Sequence, residues 1–165
     1  MANLKLNDLK DVYIEELKDL FSAEQQICKA LPKMAKSASE PRLRDAFEHH
    51  LKQSEEQAKR IERLCADLAV SATGHKCHGM EGVLREGEEY CTAKGDGKAR
   101  DAALIAAAQR VEHYEMAGYG SARAHARTLG LDEHARVLQA TLDEEKATDA
   151  KLNDLASDLN PAAKA

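Results

Sequence analysis

The chain contains 165 residues, enough for one domain of ordinary size, and carries a formal net charge of −5 at pH 7. With two Phe, four Tyr and no Trp, its composition argues against a fold rich in β-sheet. The acidic balance argues against nucleic acid as the main partner. No apolar run is long enough for a membrane helix, and the first residues lack the apolar core of a signal peptide, so we expect a cytoplasmic protein.

The first predicted helix covers about residues 8–37, where apolar residues recur at helical spacing. Asn7 and Asp8 precede it, and either side chain can cap its N-terminus. Pro32 lies inside the apolar pattern, which continues beyond it. We therefore expect Pro32 to kink this helix without ending it.

A second long helix is predicted over about residues 40–70, with Ser39 as its N-cap and Pro41 in its first turn. Six of the nine glycines then follow between residues 74 and 97, which is typical of a connection between helical segments. A short amphipathic helix at about 80–91 interrupts this connection.

The second half of the chain predicts two more long helices, at about 99–128 and 132–158. Gly130 is expected to end the first of them and Asp132 to cap the next. Two short turns and one long connection indicate two helical hairpins joined by a crossover. The sequence therefore predicts an all-α, ferritin-like four-helix bundle, a single domain over residues 1–165, whose long crossover connection carries a short extra helix.

Polar side chains interrupt the apolar stripe of every long predicted helix near its middle. These residues are Glu24, His50, Glu112, Glu115 and Glu145, with Asp149 one turn beyond. A buried carboxylate is costly unless it is paired or bound to a metal. Four helices that each supply such a group at similar depth predict a dinuclear metal site, in which Asp149 is a further candidate ligand.

Two divalent ions would nearly neutralise these carboxylates, and oxygen ligands with one imidazole suit iron or manganese. We expect two iron ions, with manganese or zinc as alternatives. The i, i+3 spacing of Glu112 and Glu115 places both on one side of a helix. The alternative is that some of the 29 acidic residues fall on a stripe by chance, and Glu24 alone fits either interpretation. We expect His113, His125 and His134 at the surface or at its edge.

Five segments together resemble the YciE/YciF family of ferritin-like bacterial stress proteins. They are ELKDLFSAEQQICKALPKMAKSA (16–38), AFEHHLKQSEEQAKRIERL (46–64), CHGMEGVLREG (77–87), DAALIAAAQRVEHYEMAGYGSARAHARTLG (101–130) and TLDEEKATDAKLNDLA (141–156). The resemblance covers almost the whole chain. It implies a ferritin-like domain with a crossover helix, a homodimer and a carboxylate-rich metal site.

The resemblance also implies roles for the stripe residues. By motif, the metal ligands would be Glu24, His50, the Glu112 and Glu115 of E-H-Y-E, and Glu145. The family's second helix commonly reads H-L-x-E-T, and Gln53 stands here in place of that glutamate. An amide oxygen can still ligate a metal, but it supplies no charge.

The function expected from the site and the resemblance is a stress-response protein with ferroxidase-like oxidation of Fe(II) by oxygen or peroxide. Tyr114 and Tyr119 lie close enough in sequence to donate hydrogen bonds to the ligands. One alternative is a non-enzymatic interaction or sequestration module whose metal is structural, and another is a manganese-catalase-like removal of peroxide. Cys77 and Cys91 bracket the short helix and are either a redox-sensitive pair or small buried hydrophobes.

Overall fold

A computed structural model describes residues 4–164, and these residues form helices and no strand. The elements are α1 (Leu9–Ser37), α2 (Pro41–Asp67), α3 (His78–Cys91), α4 (Gly97–Thr128) and α5 (Asp132–Leu159), followed by a 3₁₀ turn (Asn160–Ala163). The prediction of an all-α fold is confirmed. None of the helices in the described part of the chain is both long and apolar enough to cross a membrane.

The four long helices pack in a ring, in which α1 contacts α2 and α4, and α5 contacts α4 and α2. The closest packing lies within the pairs α1–α2 and α4–α5, which are joined by short turns. The short α3 packs across α1 and α4. The ring is therefore two helical hairpins, with the long α2–α4 connection laid over one side.

Two apolar regions fill the interior of the ring, one at each end. The first includes Ile27, Leu104 and Leu152, and the second includes Leu17 and Leu138. Between these regions lie the polar residues of the stripes, so the buried polar groups form a layer at mid-length of the helices. We call this set of residues, Glu24, His50, Glu112, Glu115 and Glu145, the polar layer.

The N-termini of two helices differ in how well the sequence predicts them. Asp8 caps α1, because its side chain accepts a hydrogen bond from the Asp11 N–H at 3.0 Å. The helix then continues through Pro32, as expected. Asp132 does not cap α5, since it is the first helical residue and Leu131 occupies the cap without a side-chain bond.

The start of α2 is capped from another helix, and the prediction that Ser39 caps it is wrong. Glu40 holds the N-cap position and makes no side-chain capping bond. Instead the buried carboxylate of Asp101 on α4 accepts hydrogen bonds from the Ser39 and Glu40 N–H groups, both at 2.8 Å. One acidic side chain thus satisfies two free backbone donors and fastens α2 to α4.

The end of α2 comes three residues before the predicted boundary. Ala69 adopts a left-handed backbone with φ 57°, and the Val70 N–H donates to the Cys65 carbonyl at 3.0 Å. Gly130 adopts the same left-handed backbone just after the end of α4, with φ 70°. Because this conformation normally selects glycine, an alanine there gives no signal in the sequence.

Close packing of α1 against α4 depends on the absence of a side chain at Gly118. A Cβ at this position would lie 2.7 Å from Cδ2 of Leu20. The glycine therefore lets the two helices approach one turn away from Glu115 and Glu24, which brings these carboxylates into the same layer.

Two further expectations are corrected by the fold. Cys77 caps α3 and Cys91 ends it, so about 20 Å of helix separates them, far beyond the reach of a disulfide. His134 is buried rather than at the surface, because it precedes Leu138 by one turn on the apolar stripe of α5. Its Nδ1 lies 3.0 Å from the hydroxyl of Tyr13.

Candidate metal centre

The polar layer is buried on all four sides by the ring. Its five side chains come from each long helix, α4 contributing two, and none is more than 3% exposed. Each occupies a stripe position flanked by apolar residues, so the packing that buries the stripe also buries the polar group. The arrangement concentrates four carboxyl groups and one imidazole in the interior of the protein.

Four of these residues converge on a common point. His50, Glu112, Glu115 and Glu145 each offer one ligand atom, and these atoms lie within 4.8 Å of one another. Nδ1 of His50 lies 3.4 Å from Oε1 of Glu112, and its Nε2 lies 3.9 Å from Oε2 of Glu115. A single cation could therefore contact nitrogen and oxygen donors from α2, α4 and α5.

The donor atoms of the layer lack hydrogen-bond partners among the described residues. Seven buried atoms are in this state: Oε2 of Glu24, Nδ1 and Nε2 of His50, Oε2 of Glu112, both oxygens of Glu115, and Oε2 of Glu145. Carboxylate oxygens only accept hydrogen bonds, so facing carboxylates need either protons or cations between them. Because unpartnered buried polar groups are rare in proteins, this donor set fits divalent metal ions.

Burial changes the acid–base behaviour of the whole layer. It raises the pKa of Glu24 to about 8, and the charge of Glu145 adds to this effect. Burial and neighbouring carboxylates also raise the pKa of Glu112 and Glu115 well above the ordinary value. Burial lowers the pKa of His50 to about 4, so its imidazole is neutral and free to ligate at neutral pH.

Glu24 stands at the side of the layer nearest α1 and is held by a tyrosine. The buried hydroxyl of Tyr119 on α4 donates a hydrogen bond to Oε1 of Glu24, and this bond partly offsets the effect of burial on the pKa of that carboxyl. The other oxygen of Glu24 has no partner among the described residues. Tyr119 therefore orients Glu24 with one oxygen left for a cation.

Gln57 is a site residue that the sequence analysis missed. It is fully buried on α2, and its amide nitrogen donates to Oε1 of Glu145 and to Oε2 of Glu144, the latter at 3.0 Å. The half-buried guanidinium of Arg60 donates two hydrogen bonds to the carboxylate of Glu144, at 2.8 and 2.9 Å. The signal was present, because Gln57 follows His50 at i+7 on the same stripe.

Three other candidates lie away from the point where the donors converge. Gln53 is half-buried and lines a cavity beside His50. Asp149 is half-buried, with Oδ1 3.5 Å from Nε2 of the exposed His113. The hydroxyl of Tyr114 lies at the start of α3, 3.0 Å from Sγ of Cys77, and donates a hydrogen bond to Oδ2 of Asp19 on α1 at 3.0 Å.

Comparison with known proteins places the chain in a family. Residues 8–164 match the family described as "Domain of unknown function (DUF892)". The chain belongs to the DUF892 family. It is 42% identical to Protein YciF of Escherichia coli strain K12 over 154 residues, and the aligned region covers 93% of each chain. The resemblance of its motifs to YciF-type stress proteins is thus confirmed.

Three solved structures, at 41%, 37% and 19% sequence identity to this chain, have the same fold. The structure of the Escherichia coli stress protein YciF superimposes with a TM-score of 0.91 at 41% identity and covers 94% of this DUF892 chain and 99% of its own. YcfI from Rhodopseudomonas palustris gives 0.86 at 37% identity, over 92% and 96% of the two chains. A protein from Xanthomonas campestris, at 19% identity and a TM-score of 0.76, shares the fold alone.

Proposed function

We propose that this chain is a ferritin-like four-helix protein that binds two divalent transition-metal ions in the polar layer and oxidises Fe(II). The observation that carries the proposal is the set of seven buried donor atoms without hydrogen-bond partners among the described residues. The ferritin-like topology is supported by two hairpins joined by one long connection. The stress-protein description of the relative YciF is consistent with a role in handling reactive iron.

Charge favours a pair of divalent ions over one. Four carboxylates at full ionisation carry four negative charges, and two Fe(II) ions carry four positive charges. His50 adds a neutral nitrogen ligand, because the pKa of its buried ring lies at about 4. Glu24, beside Glu115 and Glu145, would hold the second ion, while the converging group of four would hold the first.

Metal binding to the polar layer is also linked to the release of protons. In the absence of a cation the raised pKa values favour protonated carboxyls, so binding of Fe(II) releases protons from the layer. Carboxylates stabilise Fe(III) more than Fe(II), because the attraction grows with the charge of the ion. The layer thereby favours loss of one electron from each bound iron.

The overall reaction balances with either oxidant. Two Fe(II) ions give two electrons to one dioxygen, which takes up two protons and leaves as hydrogen peroxide. With peroxide, the same two electrons and two protons cleave the O–O bond and give two waters. In both cases the products include two Fe(III) ions, whose removal from the layer permits the next turnover.

The test is anaerobic loading with Fe(II), followed by exposure to oxygen or peroxide. We expect two equivalents of bound iron and the growth of ferric absorbance in the wild type. A variant carrying Glu112→Gln and Glu145→Gln should bind less iron and oxidise it no faster than free iron in buffer. Glu48→Gln, an exposed residue of α2, is the matched control and should behave like the wild type.

The other outcomes separate the alternatives. Two bound ions that do not change oxidation state would support a structural metal instead of a ferroxidase. Rapid peroxide disproportionation by the manganese-loaded protein would favour a catalase-like reaction. Failure of the wild type to bind any transition metal would refute the proposed site itself.

A further inference from the structure

An apolar cavity ends at the polar layer, on the side nearest the first core region. Its volume is about 30 Å³. Its buried lining residues include the apolar Ile27, Val111 and Leu152, together with His50 and Glu112 of the polar layer. The cavity therefore places empty space directly against two of the proposed metal ligands.

The cavity reaches the surface between α2 and α5. Its exposed lining residues are His49 on α2 and Lys151 on α5, and the half-buried Gln53 and Thr148 lie beside them. The other residues of the lining are apolar, except for the buried His50 and Glu112 of the polar layer. A molecule in this cavity contacts mainly apolar side chains and lies against His50 and Glu112.

We propose that this cavity binds and admits dioxygen, and that dioxygen rather than peroxide is the oxidant of the site; this inference rests on the proposed function. A water molecule needs about 10–15 Å³ of such space and two to four polar partners, and apolar cavities stay dry and take up apolar molecules such as xenon. The 30 Å³ here holds one diatomic molecule and is too small for an organic substrate.

Polarity decides between the two oxidants. Hydrogen peroxide carries two O–H donors and two acceptor oxygens, which would lose most of their hydrogen bonds to water against a mainly apolar lining, at a cost of a few kcal/mol. Dioxygen has no such bonds to lose, so transfer from water into the cavity is favourable. The lining therefore selects for the apolar oxidant before any chemistry takes place.

The first experiment is independent of metal and of turnover. Crystals of the metal-free protein under xenon pressure should show one xenon atom between Ile27 and Val111. Ala108 also lines the cavity, so Ala108→Leu should fill it and abolish the xenon site. Ala58→Leu makes the same change in a separate shallow surface pocket and should leave xenon binding intact.

The second experiment measures oxidation of bound Fe(II). With oxygen, Ala108→Leu should lower the rate at least about tenfold while Fe(II) binding stays unchanged; this corresponds to about 1.4 kcal/mol in the barrier. Oxidation by peroxide should be slow in the wild type and should not fall further in the variant. Thr148→Met, which covers the mouth from the half-buried edge of α5, provides a second variant that leaves the core packing alone.

Several results would overturn the inference. Wild-type protein without a xenon site, or a folded Ala108→Leu variant that keeps the wild-type rate with oxygen, would refute the route. Faster oxidation by peroxide than by oxygen would refute the choice of oxidant. If xenon binds but the wild type oxidises no iron at all, the proposed function fails and the role of dioxygen fails with it, while the apolar binding site stands.

Discussion

The polar layer should make the metal-free protein less stable as the pH rises. Glu24 is fully buried, and its pKa rises from an ordinary 4.5 to about 8. In the unfolded chain this carboxyl loses its proton near pH 4.5, whereas in the folded protein it keeps the proton until about pH 8. The folded state is therefore favoured at low pH, and this contribution is lost progressively between these two values.

The size of the effect follows from the two pKa values. At 1.36 kcal/mol for each tenfold change in the proton equilibrium, the raised pKa of Glu24, which titrates together with the carboxyls beside it, corresponds to a loss of up to about 5 kcal/mol. This is a large part of the 5–15 kcal/mol that typically separates folded from unfolded protein. For a chain of this length it corresponds to a fall of roughly 10–20 °C in the melting temperature.

Glu24→Gln tests this reasoning, because it keeps the shape of the side chain and removes the ionisation. We expect similar stability of variant and wild type at pH 5, and a metal-free variant that is more stable by up to about 5 kcal/mol at pH 8. Urea unfolding followed by circular dichroism at pH 5, 6, 7 and 8, with a chelator present, measures the difference. Glu62→Gln on the exposed face of α2 is the control and should show no such dependence on pH.

Addition of a redox-inert divalent cation completes the test. Zn(II) should restore the stability of the wild type at pH 8, and should do so less effectively in Glu24→Gln, which has lost a charged ligand. The reasoning is refuted if the stability difference between variant and wild type stays constant from pH 5 to pH 8.

Three further predictions concern the ends of helices and the support of the layer. Ala69→Gly should stabilise the protein by roughly 1 kcal/mol because it removes the strain of an alanine in a left-handed backbone, and Gly130→Ala should destabilise it by a similar amount. Urea unfolding measures both changes, and equal stability of the wild type and the two variants would argue against backbone strain. Asp101→Ala should cost about 1–3 kcal/mol in the same assay, since two backbone donors lose their acceptor, and a loss under about 0.5 kcal/mol would contradict the capping role. Gln57→Leu should weaken metal binding about 10–100-fold by releasing Glu145, as measured by competition with a chelator, and an unchanged affinity would show that the amide is not needed to position it.

The stripe pattern predicted much of the fold and of the candidate site. Hydrophobic periodicity identified the five helices, and the polar residues that interrupt it proved to be the buried polar layer. That success has a physical basis, because a stripe position faces the core whichever side chain it holds. Whether these residues bind metal stays a prediction.

Other features lay beyond the reach of the sequence because they depend on contacts between helices. The Asp101 carboxylate caps a helix that begins 60 residues earlier in the chain, and no local pattern indicates such a partner. The left-handed Ala69 ended α2 without a glycine to mark it. Gln57 carries no charge, so its place on the stripe does not predict a buried polar contact as a carboxylate does, although its amide donates to both Glu145 and Glu144.

The two hairpins pack less extensively against each other between α2 and α5 than the two helices do within each hairpin. These helices approach each other less closely than the partners within either hairpin, and polar bonds from Arg60 and Gln57 to α5 hold them together. Local opening starts where apolar packing is thinnest. His50 lies on one side of this interface and Glu145 on the other, so a cation bound by both would link the two hairpins. The residence time of bound metal would then be set by how often the hairpins separate, and a change in Arg60 could alter that lifetime without touching a single ligand.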